Sequence, residues 1–427
     1  VQWLTTGFML TMAVVIPTTG FLLQRFTTRQ IFLSAILFFL VGTVLGALAD
    51  SFAVLLTARV VQAIGTALIM PLLMTVTLTV VAPEKRGLMM GVNSVVISVA
   101  PAIGPTLSGI ILNAATWHWL FWAMVPVAAA CLIAGVFLLG NVSEPRAVPF
   151  DVASVILSAL AFGGIVYGLS TVGSLIDATS LLPAWSFAGG AVFLALFIHR
   201  QIQLGRRGRA LLDLSPFTVR TFSLAVLVVM MAMGMMLGTV MVLPIYLQTS
   251  LGVTALATGL LLLPGGLIQG IASPIIGRLY DSVGPRPLAV PGAILMSAAM
   301  WWQSAVYSPE TSVWTVVAAN VTFGIGMALV MTPLMTVSLA SLPRELYGHG
   351  SAIMNTLQQL GGAMGTAVLI AALTIGASID APLADAQAHG ASTAFLAGGV
   401  LSLIALAAVG FIRPLPKTTV VESSEPQ

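Results

Sequence analysis

The chain reads as an all-α polytopic membrane protein built from two related halves. Three observations predict this. Apolar spans of about 20 residues recur from end to end; the bases are confined to alternate connections between those spans; and one 20-residue segment recurs at a fixed offset. Of the 427 residues, 58% are hydrophobic and 7% charged, with a mean hydropathy of +1.06. A soluble domain carries roughly 25% charged residues, so a soluble fold is excluded. Alternating ten-residue strand patterns are absent, which disfavours an outer-membrane barrel. The net charge of +3 is no argument for nucleic acid, because the bases gather on one membrane face. A single cysteine, Cys131, leaves neither a disulfide framework nor a cysteine metal site, and no metal site is expected. The sequence opens Val1-Gln2-Trp3 with no initiator Met and no signal peptide, and residues are expected to be missing ahead of it.

Thirteen spans can be marked, near 3–23, 30–49, 54–80, 88–112, 119–139, 152–172, 183–199, 221–243, 256–276, 288–307, 312–340, 350–375 and 391–412. Arg25 and Arg29 lie in the first connection and the next, at Asp50-Ser51, has no base. Lys85 and Arg86, then Arg146, then the run Arg200, Arg206, Arg207, Arg209 and Arg220 mark alternate connections. Arg278 and Arg286, then Arg344, and finally Arg413 and Lys417 complete the set. The loops around Trp117-His118, Asp177, Gln248–Gly252, Glu310, and Asp380 with Asp385 are base-free. Fifteen of the 16 Lys and Arg residues thus fall on one side. That side is expected to be cytoplasmic, with the C-terminus, in the cell (inner) membrane.

Residues 59–78, RVVQAIGTALIMPLLMTVTL, align with 320–339, NVTFGIGMALVMTPLMTVSL, at a constant offset of 261, and 11 of the 20 positions are identical. Gly20-Phe-Leu-Leu-Gln-Arg-Phe-Thr-Thr-Arg29 parallels Gly277-Arg-Leu-Tyr-Asp-Ser-Val-Gly-Pro-Arg286. Two spans precede Gly277 in its half but only one precedes Gly20. The expectation is a first helix missing from the front, leaving 13 of 14. The expected divisions are 1–140 for the N-terminal half, 141–200 for two inserted helices, 201–220 for a loop, 221–413 for the six-helix C-terminal half and 414–427 for a tail. The stretch 204–220 is expected to lie along the cytoplasmic surface with its bases toward anionic headgroups.

The sixteenth base, Arg59, lies inside a span. Such a charge costs about 3 kcal/mol on insertion scales, and its repeat mate is Asn320, so the fold does not require a cation there. It is either a working residue or one that snorkels to the surface. Gln62, one turn on, is placed to bond a neighbouring helix. Ser98-Val-Ala-Pro101-Ala-Ile-Gly104-Pro105-Thr-Leu-Ser108-Gly109 combines glycines that permit close helix contact with a proline that bends a helix; a generic kink is the plainer reading. Asn93, Gln269, Asn320, Asn355, Gln358 and Gln359 are polar residues in apolar spans, candidates for a central cavity or for helix–helix bridges. Tyr167 and Tyr246 are their candidate aromatic partners, and the methionines at 230, 231, 233, 235 and 236 suit either adaptable ligand contact or core filling. The only lysines, Lys85 and Lys417, are in no Gly-rich loop, so no ATP site is expected. No cofactor or enzymatic activity is expected either. No Asp or Glu lies well inside a span, and all four histidines lie at or near span ends.

The duplicated Gly-x-Leu loops resemble the signature between the second and third helices of the major facilitator superfamily, and the six-two-six plan resembles its 14-helix drug:proton antiporters. The resemblance covers nearly the whole chain. It implies alternating access between two halves and proton-coupled efflux of small amphipathic or hydrophobic compounds by a monomer, of the multidrug-resistance type. Alternatives are a dedicated exporter of one metabolite or antibiotic, and a non-transporting sensor or scaffold. In the family the loop's acid and Arg pair across helices and latch the inward face. The second copy matches, with Gly277, Asp281, Gly284 and Arg286. The first has Gly20, Arg25 and Arg29 but Gln24 for the usual Asp and Thr27 for the usual Gly, which implies a weaker latch or mere topology anchors. Arg59-Val-Val-Gln62-Ala-Ile-Gly65 resembles the family's Arg-x-x-Gln-Gly-x-Gly, whose Arg is linked to proton coupling. Gly104, Pro105, Ser108 and Gly109 resemble its antiporter motif. The family usually places its titrating Asp in the first helix.

Overall fold

The computed structural model describes residues 2–142, 151–171, 180–207, 209–377 and 382–412, and among them there is no strand. Arg146, Asp177, Asp380, Arg413 and Lys417 lie outside the described residues. In chain order the helices are α1 (Gln2–Arg25), α2 (Thr28–Ala47), α3 (Phe52–Val80), α4 (Arg86–Ala114), α5 (His118–Trp122), α6 (Met124–Leu138) and α7 (Val152–Ser170). They continue with α8 (Leu182–Gly205), α9 (Arg220–Thr249), α10 (Ala255–Val283), α11 (Arg286–Val306), α12 (Val313–Ala340), α13 (Tyr347–Ala377) and α14 (Leu383–Gly410). Among the described residues eleven segments are long and apolar enough to cross a membrane, with α5 and α6 together forming one of them. Each of the 13 expected spans holds a helix. Several ends differ: α8, α9 and α10 continue to Gly205, Thr249 and Val283, and α14 begins at Leu383 rather than near 391. Polar terminal turns such as those with Gln203, Gln248 and Asp281 lengthen a helix without adding to its apolar run, so hydropathy stops short of them.

The repeat is visible in the helix register. The starts of α3 and α12, at 52 and 313, and of α4 and α13, at 86 and 347, keep the offset read from the sequence. Equivalent helices also pack alike. Gly65 on α3 lies against the Ala35 carbonyl and Phe39 of α2, and its repeat mate Gly326 on α12 lies against Met296 and the Gly292 carbonyl of α11. In a bilayer lipid competes equally for apolar side chains, so close backbone approach at small residues is what holds helices together.

Two seams join the halves, α4 against α10 and α1 against α13. The pair α7–α8 packs on itself, and α7 rests on both α1 and α13. Asp151, at the start of α7, receives two hydrogen bonds from the Arg200 guanidinium of α8, each 2.9 Å. The linker after α8 does not lie flat on the surface as its bases suggested. Arg206, Arg207 and Arg209 are exposed, but Ala210, Leu211 and Leu212 are buried, because three apolar side chains in a row gain more inside the protein than over polar headgroups.

Two measurements test this packing. Gly326→Val, which drives a side chain into the α11 backbone, should cost about 1–3 kcal/mol and lower the unfolding temperature in detergent by several degrees. Gly189→Ala, where a Cβ meets nothing within 4 Å, should leave it unchanged or slightly raised. The Arg200 guanidinium holds the Asp151 carboxyl below its usual range. The ion pair therefore contributes at pH above the ordinary carboxylate value and fades as pH falls through the lowered one. Since the pair is partly exposed, Asp151→Asn should cost less than about 1 kcal/mol at neutral pH, and nothing once both proteins are acidified below the lowered Asp151 value.

Candidate functional site

The face that carries the bases is closed at both seams. At one, Gly87 and Gly277 bring the α4 and α10 backbones into direct contact, so that a Cβ on either would strike the other's carbonyl oxygen. Asp281 completes it: its two carboxylate oxygens accept the Gly87 and Leu88 amides at 2.8 and 3.0 Å. A carboxylate there satisfies unpaired donors at a helix start and meets the positive end of the helix dipole. The expected pairing of Asp281 with Arg286 is not what forms. Arg286 is exposed, and the helix amides, fixed and already pointing at the carboxylate, take its oxygens instead. Gly284 ends α10 at φ +81°, a backbone that disfavours any other residue.

At the other seam Gly20 packs beneath His349 of α13, and Gln24 lies 2.8 Å from that imidazole. Gln24 therefore has a partner, contrary to the weak latch its sequence suggested. Between the seams Arg86, at the start of α4, donates to the Tyr347 hydroxyl at 3.3 Å and to the Leu78 carbonyl at 2.9 Å. Arg29 donates to the Val136 carbonyl at 2.6 Å, so it fastens α2 to α6; Arg25 lies 5.9 Å from the Phe21 ring.

The opposite half of the molecule contains a cavity of about 510 Å³, a size that suits a drug-sized ligand. It lies among α4, α9, α10 and α12, and its lining includes Gly109, Thr239, Thr258, Gln269, Asn320 and Phe323. Among the described residues no Asp, Glu, Lys or Arg lines it. The Thr239 and Thr258 hydroxyls are buried without a hydrogen-bond partner, while Asn320 donates to the Leu262 carbonyl at 3.3 Å. Of the six expected cavity residues, Gln269 and Asn320 line it. The others sit toward the basic face. Asn93 donates to Thr77 at 3.0 Å, bridging α4 and α3. Asn355 donates to the Ser351 carbonyl at 2.8 Å and approaches Met74 of α3. Gln358 is buried with an unpartnered amide nitrogen, and Gln359 is half-buried. Tyr246 is not in the cavity either: its ring stacks on Tyr307 at 4.5 Å and its hydroxyl donates to the Ser308 carbonyl. Met233, Met235 and Met236 are buried, and Met236 reaches the cavity. Sequence reading missed Thr239, Thr258 and Gln248. A threonine in an apolar helix reads as neutral, and Gln248 lies past the hydropathy-defined end of its span.

Gly104 and Gly109 were expected to make close helix contact; instead a Cβ at either would meet nothing within 4 Å. Each position, on a different side of α4, borders open space, and α4 makes its close approach at Gly87 and Gly91. Ser108 is half-buried and the helix continues through Pro105, whose side chain lies outside the described ones.

Arg59 is half-buried. Its guanidinium lies 4.2 Å from the centre of the Phe8 ring on α1 and donates to Gln62 Oε1 at 2.6 Å. Gln62 in turn donates to Thr43 of α2 at 3.0 Å, and Thr43 to the Phe39 carbonyl at 2.6 Å. A cation–π contact and a charge-assisted hydrogen bond thus lock three helices around one charge.

A two-half bundle of membrane-spanning helices, sealed at one face and hollow at the other, defines a polytopic membrane transporter. Residues 1–366 match the Major Facilitator Superfamily, and the chain belongs to that family of multi-pass transporters of small molecules. It is 42% identical to an uncharacterized MFS-type transporter, YcnB, of Bacillus subtilis, over 94% of this chain and 85% of that one. It is 40% identical to the lincomycin resistance protein LmrB of Bacillus subtilis, over 88% of this chain and 78% of that one. The human organic anion transporter MFSD10 shares the fold, with a TM-score of 0.67, 14% identity and 96% of this chain and 83% of that one covered.

The open space at Gly109 gives a direct test of the cavity. Gly109→Leu should leave thermal stability unchanged or raise it by up to about 1 kcal/mol, since a poor helix former is replaced without a clash. It should nevertheless weaken binding of any ligand that occupies the cavity, as read by titration of a fluorescent apolar probe.

Proposed function

We propose that the protein is a proton-coupled exporter of small amphipathic or hydrophobic compounds, of the multidrug type, that works by alternating access in the cytoplasmic membrane. The observation that supports this most directly is the combination of a basic face sealed at two seams with an uncharged, largely apolar cavity in the other half. On the orientation the bases imply, the C-terminus is cytoplasmic and the cavity faces outward, as in a carrier that has just released its substrate. Arg59 with Gln62 assists coupling, α4 with its Gly104-Pro105 segment is the switching helix, and the glycines and Asp281 of the loop motifs hold the cytoplasmic side. ATP plays no part, and the unit of function is a monomer. A second reading, a dedicated exporter of one antibiotic class, is favoured by the 40% identity to a lincomycin resistance protein.

Growth of cells expressing the protein on a panel of antibiotics and dyes, with and without a protonophore, tests both readings. Multidrug export predicts resistance to several chemically unrelated apolar compounds, abolished by the protonophore. Resistance to one class alone selects the dedicated exporter, and no change in resistance with normal membrane abundance overturns both. Arg59→Ala should return resistance to the level of cells without the protein while its amount in the membrane stays the same.

A further inference from the structure

The two copies of the loop motif close their seams by different chemistry, and the difference is concentrated in two residues. In the second copy Asp281 caps the Gly87 and Leu88 amides at the start of α4. The offset of 261 carries Arg86, Gly87 and Leu88 onto Tyr347, Gly348 and His349 at the start of α13. The first copy has Gln24 in place of the carboxylate, and His349 stands where its repeat mate is leucine. These two departures meet, with 2.8 Å between the Gln24 amide and His349 Nε2. His349 is 3% exposed, and a Cβ on Gly20 would fall 2.8 Å from its Nδ1.

The linker joins the same ring. The Asp213 amide donates to His349 Nδ1 at 3.3 Å. The Gln24 side-chain nitrogen, as placed, faces Nε2 while the Asp213 amide faces Nδ1. A neutral imidazole accepts at only one nitrogen. With Nδ1 accepting, the Gln24 amide group is therefore assigned the flipped orientation, in which its oxygen takes the Nε2 proton. Asp213 follows the buried residues Ala210, Leu211 and Leu212. The Leu212 amide donates to Gln201 of α8 at 3.1 Å, and Gln201 donates to Ser154 of α7 at 2.7 Å. Together with the backbone from Leu212 to Asp213, these bonds run from the inserted helices to the α1–α13 seam.

We propose that His349 is a positioning residue for the transport cycle. It clasps α1 and the linker to the start of α13, so that the inserted pair α7–α8 helps hold the basic face shut at the seam that lacks an acid-to-amide bond. This rests on the alternating-access reading. It gives the inserted pair a role in gating, and it explains the first copy's departure from its motif as half of a matched exchange.

The test uses the full chain in lipid nanodiscs, in a Cys131→Ser background. Spin labels at Phe26→Cys and Glu345→Cys, both exposed positions, report the distance across the α1–α13 seam. His349→Leu should raise the open fraction of the basic face by about tenfold, the effect of losing a buried hydrogen bond and stranding its partners. Gln24→Met should act in the same direction from the half-buried side, so the result does not hang on one variant's folding. Adding Gln24→Asp to His349→Leu recreates the Asp281–Leu88 arrangement and should bring the open fraction back toward that of the wild type, a rescue that a merely structural histidine would not show. Gln201→Leu should also open the seam, and should add little to His349→Leu, because both cut one connection. An unchanged open fraction in His349→Leu and Gln24→Met, a failed rescue, or full additivity with Gln201→Leu overturns the clasp. A wild-type protein that never samples a second distance during turnover overturns the alternating-access reading itself.

Discussion

Backbone contact between α4 and α10 at Gly87 and Gly277 is the interaction on which the arrangement of the two halves depends. Neither helix could approach so closely with a side chain at that point. Because lipid competes equally for apolar side chains, only such tight packing and internal hydrogen bonds can fix one half against the other. Asp281 turns the contact into a registered one by capping α4. The cavity lies beyond this pinch, walled by α9, α10 and α12 of one half and by Gly109 and Leu112 near the far end of α4 of the other.

The same constraint explains where polar side chains are found. Inside an apolar medium each one needs a partner from the protein. Many hydroxyls bond a carbonyl one turn back in their own helix, as Ser273 and Thr336 do, and others bridge helices: Asn93 to Thr77, Gln62 to Thr43, Asn355 toward Met74. Two of the exceptions are informative. Thr239 and Thr258 keep unpartnered hydroxyls beside a cavity, which is where a polar group of a ligand would complete them. Polar residues in spans are therefore a mixture of bridges and lining, and only geometry separates the two.

Much of the fold was legible in the sequence because hydropathy, base parity and the repeat are independent signals that agree. The spans near 54–80 and 312–340 emerged as α3 and α12 in the register that the repeat implied. The site was less legible, for physical reasons. Motif glycines permit contact but do not require it: Gly87 and Gly277 touch, whereas Gly104 and Gly109 face open space. Charge runs misled at 204–220, where the bases are exposed but the adjacent Ala210–Leu212 segment is buried. Gln24 read as a lost carboxylate because its new partner, His349, lies 325 residues away in sequence.

Arg59 and the cavity share no residue, so any coupling between them must travel through helices rather than by direct contact. The chain offers one route with two ends already in place. Phe8, whose ring covers the Arg59 guanidinium, and Gln24, which meets His349, both belong to α1. At 1.5 Å per residue they are about 24 Å apart along one helix, with Pro17 between them as a point of bending. A change of charge or hydration at Arg59 acts first on Phe8. The other end of the same helix is the α1–α13 seam, where Gln24 meets His349. Among the described residues Arg59 is held by a neutral amide and a ring, not by a carboxylate. Its charge is therefore carried without a neutralising acid among those residues, in contrast to Arg200, whose guanidinium is paired with Asp151.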